Sequence, residues 1–169
     1  MTRVPTASGR RVSASAVFDP TGRYRYLLSR VWSGQLPRCC FVMLNPSAAD
    51  ATTDDPTVRR CASFAGSWGY GGVDVVNVFG LRATVPAALR YADDPVGPGN
   101  DEAVLAAARD AGLVVAAWGD HGAWRGRDVV VRRMLEEAGT VLSCLRLTKR
   151  GHPGHPLYVP ARATPRPYP

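Results

Sequence analysis

Short apolar runs and amphipathic stretches take turns along this chain. SASAVFD (13–19) and RYRYLLSRVW (23–32) alternate apolar and polar positions and predict two strands joined by the turn Asp19-Pro20-Thr21-Gly22. RCCFVMLN (38–45), GVDVVNVFG (72–80), LVVAAWG (113–119) and TVLSCLRL (140–147) are unbroken apolar runs. Such runs suit strands covered on both faces. PTVRRCASFAGSWG (56–69) reads as a helix with Val58, Cys61, Ala62, Phe64 and Ala65 on one face and Gly66 and Gly69 at its end. VPAALRYA (85–92) is a short helix or turn. GNDEAVLAAARDAG (99–112) is a helix with Asn100 as N-cap and Gly112 as stop, and RGRDVVVRRMLEEAG (125–139) is another amphipathic helix. The alternation predicts an α/β three-layer sandwich: a mostly parallel four-stranded central sheet, helices on both faces, and an N-terminal hairpin. A single domain is expected over 1–169. Its first twelve residues read as loose, and PARATPRPYP (160–169) as an extended proline-rich tail.

Ligands of such sheets bind at the carboxyl ends of the strands. Four of those ends carry polar or special residues: Asn45-Pro46 with Ser47, Asn77, Trp118-Gly119, and the loop holding His152 and His155. The Asn77 amide offers donors and an acceptor that match the O4 and N3–H edge of uracil; the plainer reading is that it ties down a neighbouring loop. In KRGHPGHPLY the prolines stiffen the backbone, and a fixed histidine there suits stabilising an anion or moving a proton. A surface turn with two exposed imidazoles is the bland alternative. Asn45 suits holding a water. Asp50, Asp54 or Asp55 suit activating it, or steadying a positive sugar-like intermediate. Asp54-Asp55-Pro56 equally makes a good helix start.

Composition changes this picture in two places. The net charge of +7 favours a polyanionic partner, although nearly all of the basic residues are arginine and Lys149 is the one lysine, as a GC-biased genome also gives. Arg59-Arg60, Arg125, Arg127, Arg132-Arg133 and Lys149-Arg150 are the candidate phosphate contacts. Cys39, Cys40, Cys61 and Cys144 have no zinc-ligand spacing and read as buried free thiols. No apolar run reaches the roughly 18 residues of a membrane span, and the N-terminus lacks a secretory apolar segment. A cytoplasmic protein with no membrane partner is expected.

The motif set LNPSAADATTDDPTVRRC, SWGYGG, VVNVFGLRAT, DPVGPGND, AAWG and HPLY closely resembles an uncharacterised bacterial domain family over roughly residues 15–160. More loosely, the order strand–Asn-Pro, strand–Asn, strand–Trp-Gly and His-Pro-rich loop resembles the uracil-DNA glycosylase superfamily. That resemblance implies that Asn45 positions the water attacking the sugar C1′, and that Asn77 reads the pyrimidine edge. It also implies that a loop histidine, His155 rather than His152, stabilises the departing base. Pro46, Ser47, Phe79, Trp118, Gly119 and His152 would line the base pocket. Trp68 and Tyr70 are further candidates for stacking on the base. Lys149, Arg150 and Leu157 would contact DNA, with Leu157 the candidate wedge. The implied activity is excision of a uracil-type or modified pyrimidine from DNA by a monomer without metal or organic cofactor. A hydrolase of free nucleosides or nucleotides, or a non-catalytic modified-base reader, is the alternative. The acids Asp54 and Asp55 have no simple counterpart in that superfamily.

Overall fold

The structure, a computed structural model, describes residues 2–5 and 11–169, with side chains described from Ser13 onward. Its strands are β1 (Thr2–Pro5), β2 (Arg11–Phe18), β3 (Arg25–Val31), β4 (Arg38–Met43), β5 (Gly72–Asn77), β6 (Leu113–Ala116), β7 (Leu142–Cys144) and β8 (Arg166–Pro167). The helices are α1 (Pro56–Ser67), α2 (Asn100–Asp110) and α3 (Arg127–Glu137). All strands join one mixed sheet in the order β1-β2-β3-β5-β4-β6-β7-β8.

The α/β class holds, but the sheet is mixed rather than mostly parallel and four-stranded. β5, β4, β6 and β7 pair in parallel. The expected hairpin β2–β3 does not stand apart: β3 joins β5 antiparallel and extends the sheet, with β1 added beyond β2. Thr2–Pro5 is therefore a strand, not loose chain, while Met1 and residues 6–10 of the expected loose start lie outside the described residues. The tail also differs from a free extension. Arg166–Pro167 pairs with β7, and Tyr168 meets the Trp118 ring edge-on at 5.9 Å.

The unbroken apolar runs follow from burial on two faces. Cys39, Phe41, Met43, Val73 and Val75 pack on one side with Val58, Cys61, Phe64 and Ala65 of α1. Cys40, Val42, Val76, Val114 and Ala116 pack on the other with Val104 of α2 and Val131 and Leu135 of α3. Period two along β5 places Asn77 on the same side as Val73 and Val75, toward α1. All four cysteines are buried and free. No described helix is long and apolar enough to cross a membrane.

The acid-rich loop before α1 is braced by its own carboxylates. Asp50 accepts from the Thr52 and Thr53 backbone N–H groups, each at 2.8 Å. Asp54 pairs with Arg30 Nε at 2.8 Å. Asp55 is the N-cap of α1, accepting from Val58 N–H at 2.8 Å, with Pro56 in the first turn. A cap of this kind is worth about 1 kcal/mol. Asn100 is not the cap of α2: Gly99 holds that place, and the buried Asn100 amide donates to the Asn77 carbonyl at 2.8 Å.

Candidate functional site

The carboxyl ends of β4, β5 and β6 open on one cavity of about 530 Å³. Of the residues singled out in the sequence, Asn45, Ser47, Asp55, Asn77, Trp118, Gly119 and His155 line it. Pro46, Asp54, Phe79, His152, Lys149, Arg150 and Leu157 do not.

Asn77 is 1% exposed, and neither its Nδ2 nor its Oδ1 has a hydrogen-bond partner among the described residues. An amide buried this way forfeits its hydration with nothing in return, a cost of about 1–3 kcal/mol per group. The loop-tying role therefore falls to its neighbour Asn100, which holds the backbone at Asn77 and Val78. The Asn77 side chain is left free for whatever enters the cavity. Trp118 Nε1–H is likewise buried and unpartnered beside it. A side chain at Gly122 would sit 2.2 Å from Trp118 Cδ1, so glycine there is what lets the indole seat against the turn.

Asn45 is held by two bonds from its Nδ2, to the carbonyls of Pro46 at 2.9 Å and Ala83 at 2.8 Å. These bonds fix the amide and leave Oδ1 as its acceptor. His155 Nδ1 accepts from Leu157 N–H at 3.1 Å, so the neutral ring carries its proton on Nε2. Burial pushes the His155 pKa below the ordinary 6.5, and the nearby Asp55 carboxylate offsets this in part. The loop carrying His155 is pinned at three points. Gly119 N–H donates to Pro153 O at 2.7 Å, Thr148 Oγ1 to Asp120 Oδ1 at 2.6 Å, and Arg60 Nε to Pro156 O at 3.3 Å. Gly119 makes its contact at φ 70°, a conformation that favours glycine.

The residues outside the cavity have other work. Asp54 is committed to Arg30. His152 Nδ1 lies 3.6 Å from Asp128 Oδ2, so of the two loop histidines it is His155 that lines the cavity. Phe79 is fully buried against Trp124, with ring centroids 5.7 Å apart. Trp68 stacks on Phe64 and Phe41 in the core. Besides Trp118, the cavity is lined by Tyr158, whose ring centroid is 5.5 Å from that of His155 and which is 76% exposed. Leu157 is exposed beside it. Among the basic residues, Arg127 is buried, donating to Val78 O and pairing with Asp101. Arg60 is spent on the carbonyls of Pro156 and Val159, and Arg132 pairs with Glu136. Lys149 and Arg150 are exposed, and Arg150 lines a shallow depression with Arg90 that shares Asp120 and His121 with the cavity.

Sequence reading missed Arg25, His121 and Tyr158 as lining residues. His121 and Tyr158 directly follow or adjoin motifs already singled out, so proximity to Trp118-Gly119 and to His155 was the available signal. Arg25 had none.

A pocket of mixed polar and apolar lining at the ends of parallel strands within a mixed α/β sheet is thus the defining feature of this molecule. Residues 25–157 match the model of a family described as a protein of unknown function, DUF1643, and the chain belongs to that family. The match runs from the cavity residue Arg25 to Leu157 and so takes in every lining residue except Tyr158. No curated protein and no solved structure matches the chain.

Proposed function

We propose that the protein is a hydrolase that excises a uracil-type or modified pyrimidine base from DNA by cleaving its N-glycosidic bond. The observation that carries this reading is the Asn77 amide, buried with both ends unpartnered at the wall of a cavity it shares with Asn45, Asp55 and His155. An amide presents one donor group and one acceptor in a plane, which complements the carbonyl and N–H of a pyrimidine-dione edge. The motif order that resembles uracil-DNA glycosylases supports the same assignment. So do the net charge of +7 and the exposed Lys149-Arg150 turn beside the mouth.

In this reading the nucleotide leaves the stack and its base enters the cavity. Asn77 holds the base edge, and Tyr158 at the mouth offers a stacking face. As the C1′–N bond lengthens, its electron pair moves onto the base. His155 Nε2–H donates to the base oxygen where that charge gathers. Neutral imidazole suffices for this, and burial keeps it neutral. A water held by Asn45 Oδ1 adds to C1′ and gives one proton to Asp55; the base anion takes a proton from solvent to leave as the free base, and Asp55 returns its proton to solvent. Asp54 has no part, being tied to Arg30. Donation to a developing anion is worth about 3–4 kcal/mol in comparable sites, or 10²–10³ in rate.

Duplex and single-stranded oligonucleotides carrying uracil, mismatched thymine or a 5-modified pyrimidine test the proposal by strand breakage after alkali. His155→Ala and Asn45→Ala are each expected to lower abasic-site formation by about 10²-fold or more while DNA binding persists. Intact strands from the wild-type protein on every such substrate would overturn it.

A further inference from the structure

The cavity holds a buried cation that this chemistry does not use. Arg25 opens β3, is 2% exposed, and lines the cavity wall. Its Nη1 donates to Ala49 O at 2.9 Å. Its Nε–H is buried with no partner, and no ion pair among the described residues includes it. A guanidinium taken out of water without an anion is costly, and a protein that keeps one has a use for it. Burial is the main influence on Arg25 and drags its pKa down to about 10, so it stays a cation at neutral pH. Asp55 and Asp50 attract it, and Arg82 and Arg30 repel it. Neither acid pairs with it among the described residues: Asp55 Oδ1 caps α1, and Asp50 Oδ1 accepts from Thr52 and Thr53.

Arg30, on the same strand, shows what a completed site looks like. Its Nε donates to Asp54 Oδ1 at 2.8 Å and its Nη2 to Asp50 O at 2.7 Å. On Arg25 the corresponding Nε–Nη2 edge makes no bond to any described residue. That edge carries two parallel N–H donors, the arrangement that takes a carboxylate or phosphate in bidentate fashion. Arg25 also shares the cavity wall with Asn77, and its backbone N–H donates to Gly80 O at 3.0 Å, three residues past Asn77.

Resting on the pyrimidine reading above, we infer that Arg25 recognises an oxyanion carried by the ligand of the Asn77 pocket, either a carboxylate on the pyrimidine ring or the phosphate of its nucleotide. The Arg25 Nε–Hε resonance of the full chain and calorimetric affinities provide the test, with uracil, 5-carboxyuracil, deoxyuridine monophosphate and acetate as probes. 5-Carboxyuracil or the monophosphate is expected to move that resonance and to bind about ten-fold or more tightly than uracil, as a charge-assisted pair would. Whichever of the two does so identifies the source of the oxyanion. Arg25→Gln should bring that ligand down to the affinity of uracil, with Arg25→Lys recovering only part because it lacks the fork. Asn77→Ala should weaken all three pyrimidine probes and leave the acetate-induced shift intact. A resonance moved by acetate in a protein that binds no pyrimidine would sustain the oxyanion site and sink the base reading. Equal affinities for the three pyrimidines, with a resonance that none of the four probes moves, would overturn the role of Arg25. The wild-type resonance is itself a readout, so this outcome is decisive even if the variants fail to fold.

Discussion

Arg30 and Arg25 lie on one strand and are equally buried, each 2% exposed. Arg30 is saturated: Asp54, the Ser29 carbonyl and the Asp50 carbonyl take its donors. Arg25 has the Ala49 carbonyl and nothing more from the described residues. A second pair repeats the contrast. Asn100 is 0% exposed and bonds the backbone at Asn77 and Val78, whereas Asn77 at 1% exposure bonds nothing with its side chain. In both pairs burial is the same and only satisfaction differs. Burial of a polar group therefore does not mark function here; what sets Arg25 and Asn77 apart is that their unpartnered atoms face one cavity, whereas Asn100 Oδ1, also without a partner among the described residues, lies outside it.

The contrast can be broken by substitution. Arg30→Met leaves Asp54 without its cation and should lower unfolding free energy by about 3 kcal/mol, the low end for a buried pair because Asp54 keeps 28% exposure. Arg25→Met should cost far less or stabilise. Equal losses in urea titrations of the two variants would dissolve the distinction. Asn100→Leu takes the side-chain donor from the Asn77 carbonyl, Val78 O keeping Arg127, and should cost about 1 kcal/mol or more, whereas Asn77→Leu removes two unpaired groups and should be neutral or stabilising. Thermal denaturation of these variants reads that difference. The smallest effect concerns pH. His155 has a folded pKa below its unfolded one, so the folded state resists protonation. Stability should be unaffected above about pH 6.5, fall as pH drops below that unfolded value, and level off below the folded pKa. His155→Gln should remove that limb from a pH series of melting curves.

Much of the site was legible before the fold was known. Asn45, Asn77, Trp118-Gly119 and His155 each stand where an apolar run stops or a proline stiffens a loop, and parallel strands bring such ends together. Asp54 was not separable from Asp55 in sequence. Their difference lies in which way each carboxylate turns, one to Arg30 and one to the α1 cap. Phe79 sits two residues past Asn77 but beyond the strand end, where the chain turns toward Trp124. Arg25 was hidden by a register shift. Phe18 pairs with Arg25 and Val17 with Leu27, so Tyr26 is an extra residue on β3 and period-two counting from Leu28 fails there. The mixed sheet was missed because RYRYLLSRVW reads as half of a hairpin, and nothing in a strand's own alternation says that its second edge will pair with a distant strand. The docked tail was missed because prolines argue against central strands, and β8 is an edge strand.

That edge has a consequence for how the molecule behaves in a crowded solution. The sheet ends on β1 at one side and β8 at the other. Both carry a proline, Pro5 and Pro167, and β8 offers only two residues, both exposed. An open sheet of eight strands is a template on which other chains can add, and a proline in each edge strand takes one backbone donor from the rim. The proline-rich tail thus acts as a stopper at its own rim: it covers the edge of β7 with a strand of two residues, too short to carry the ladder further.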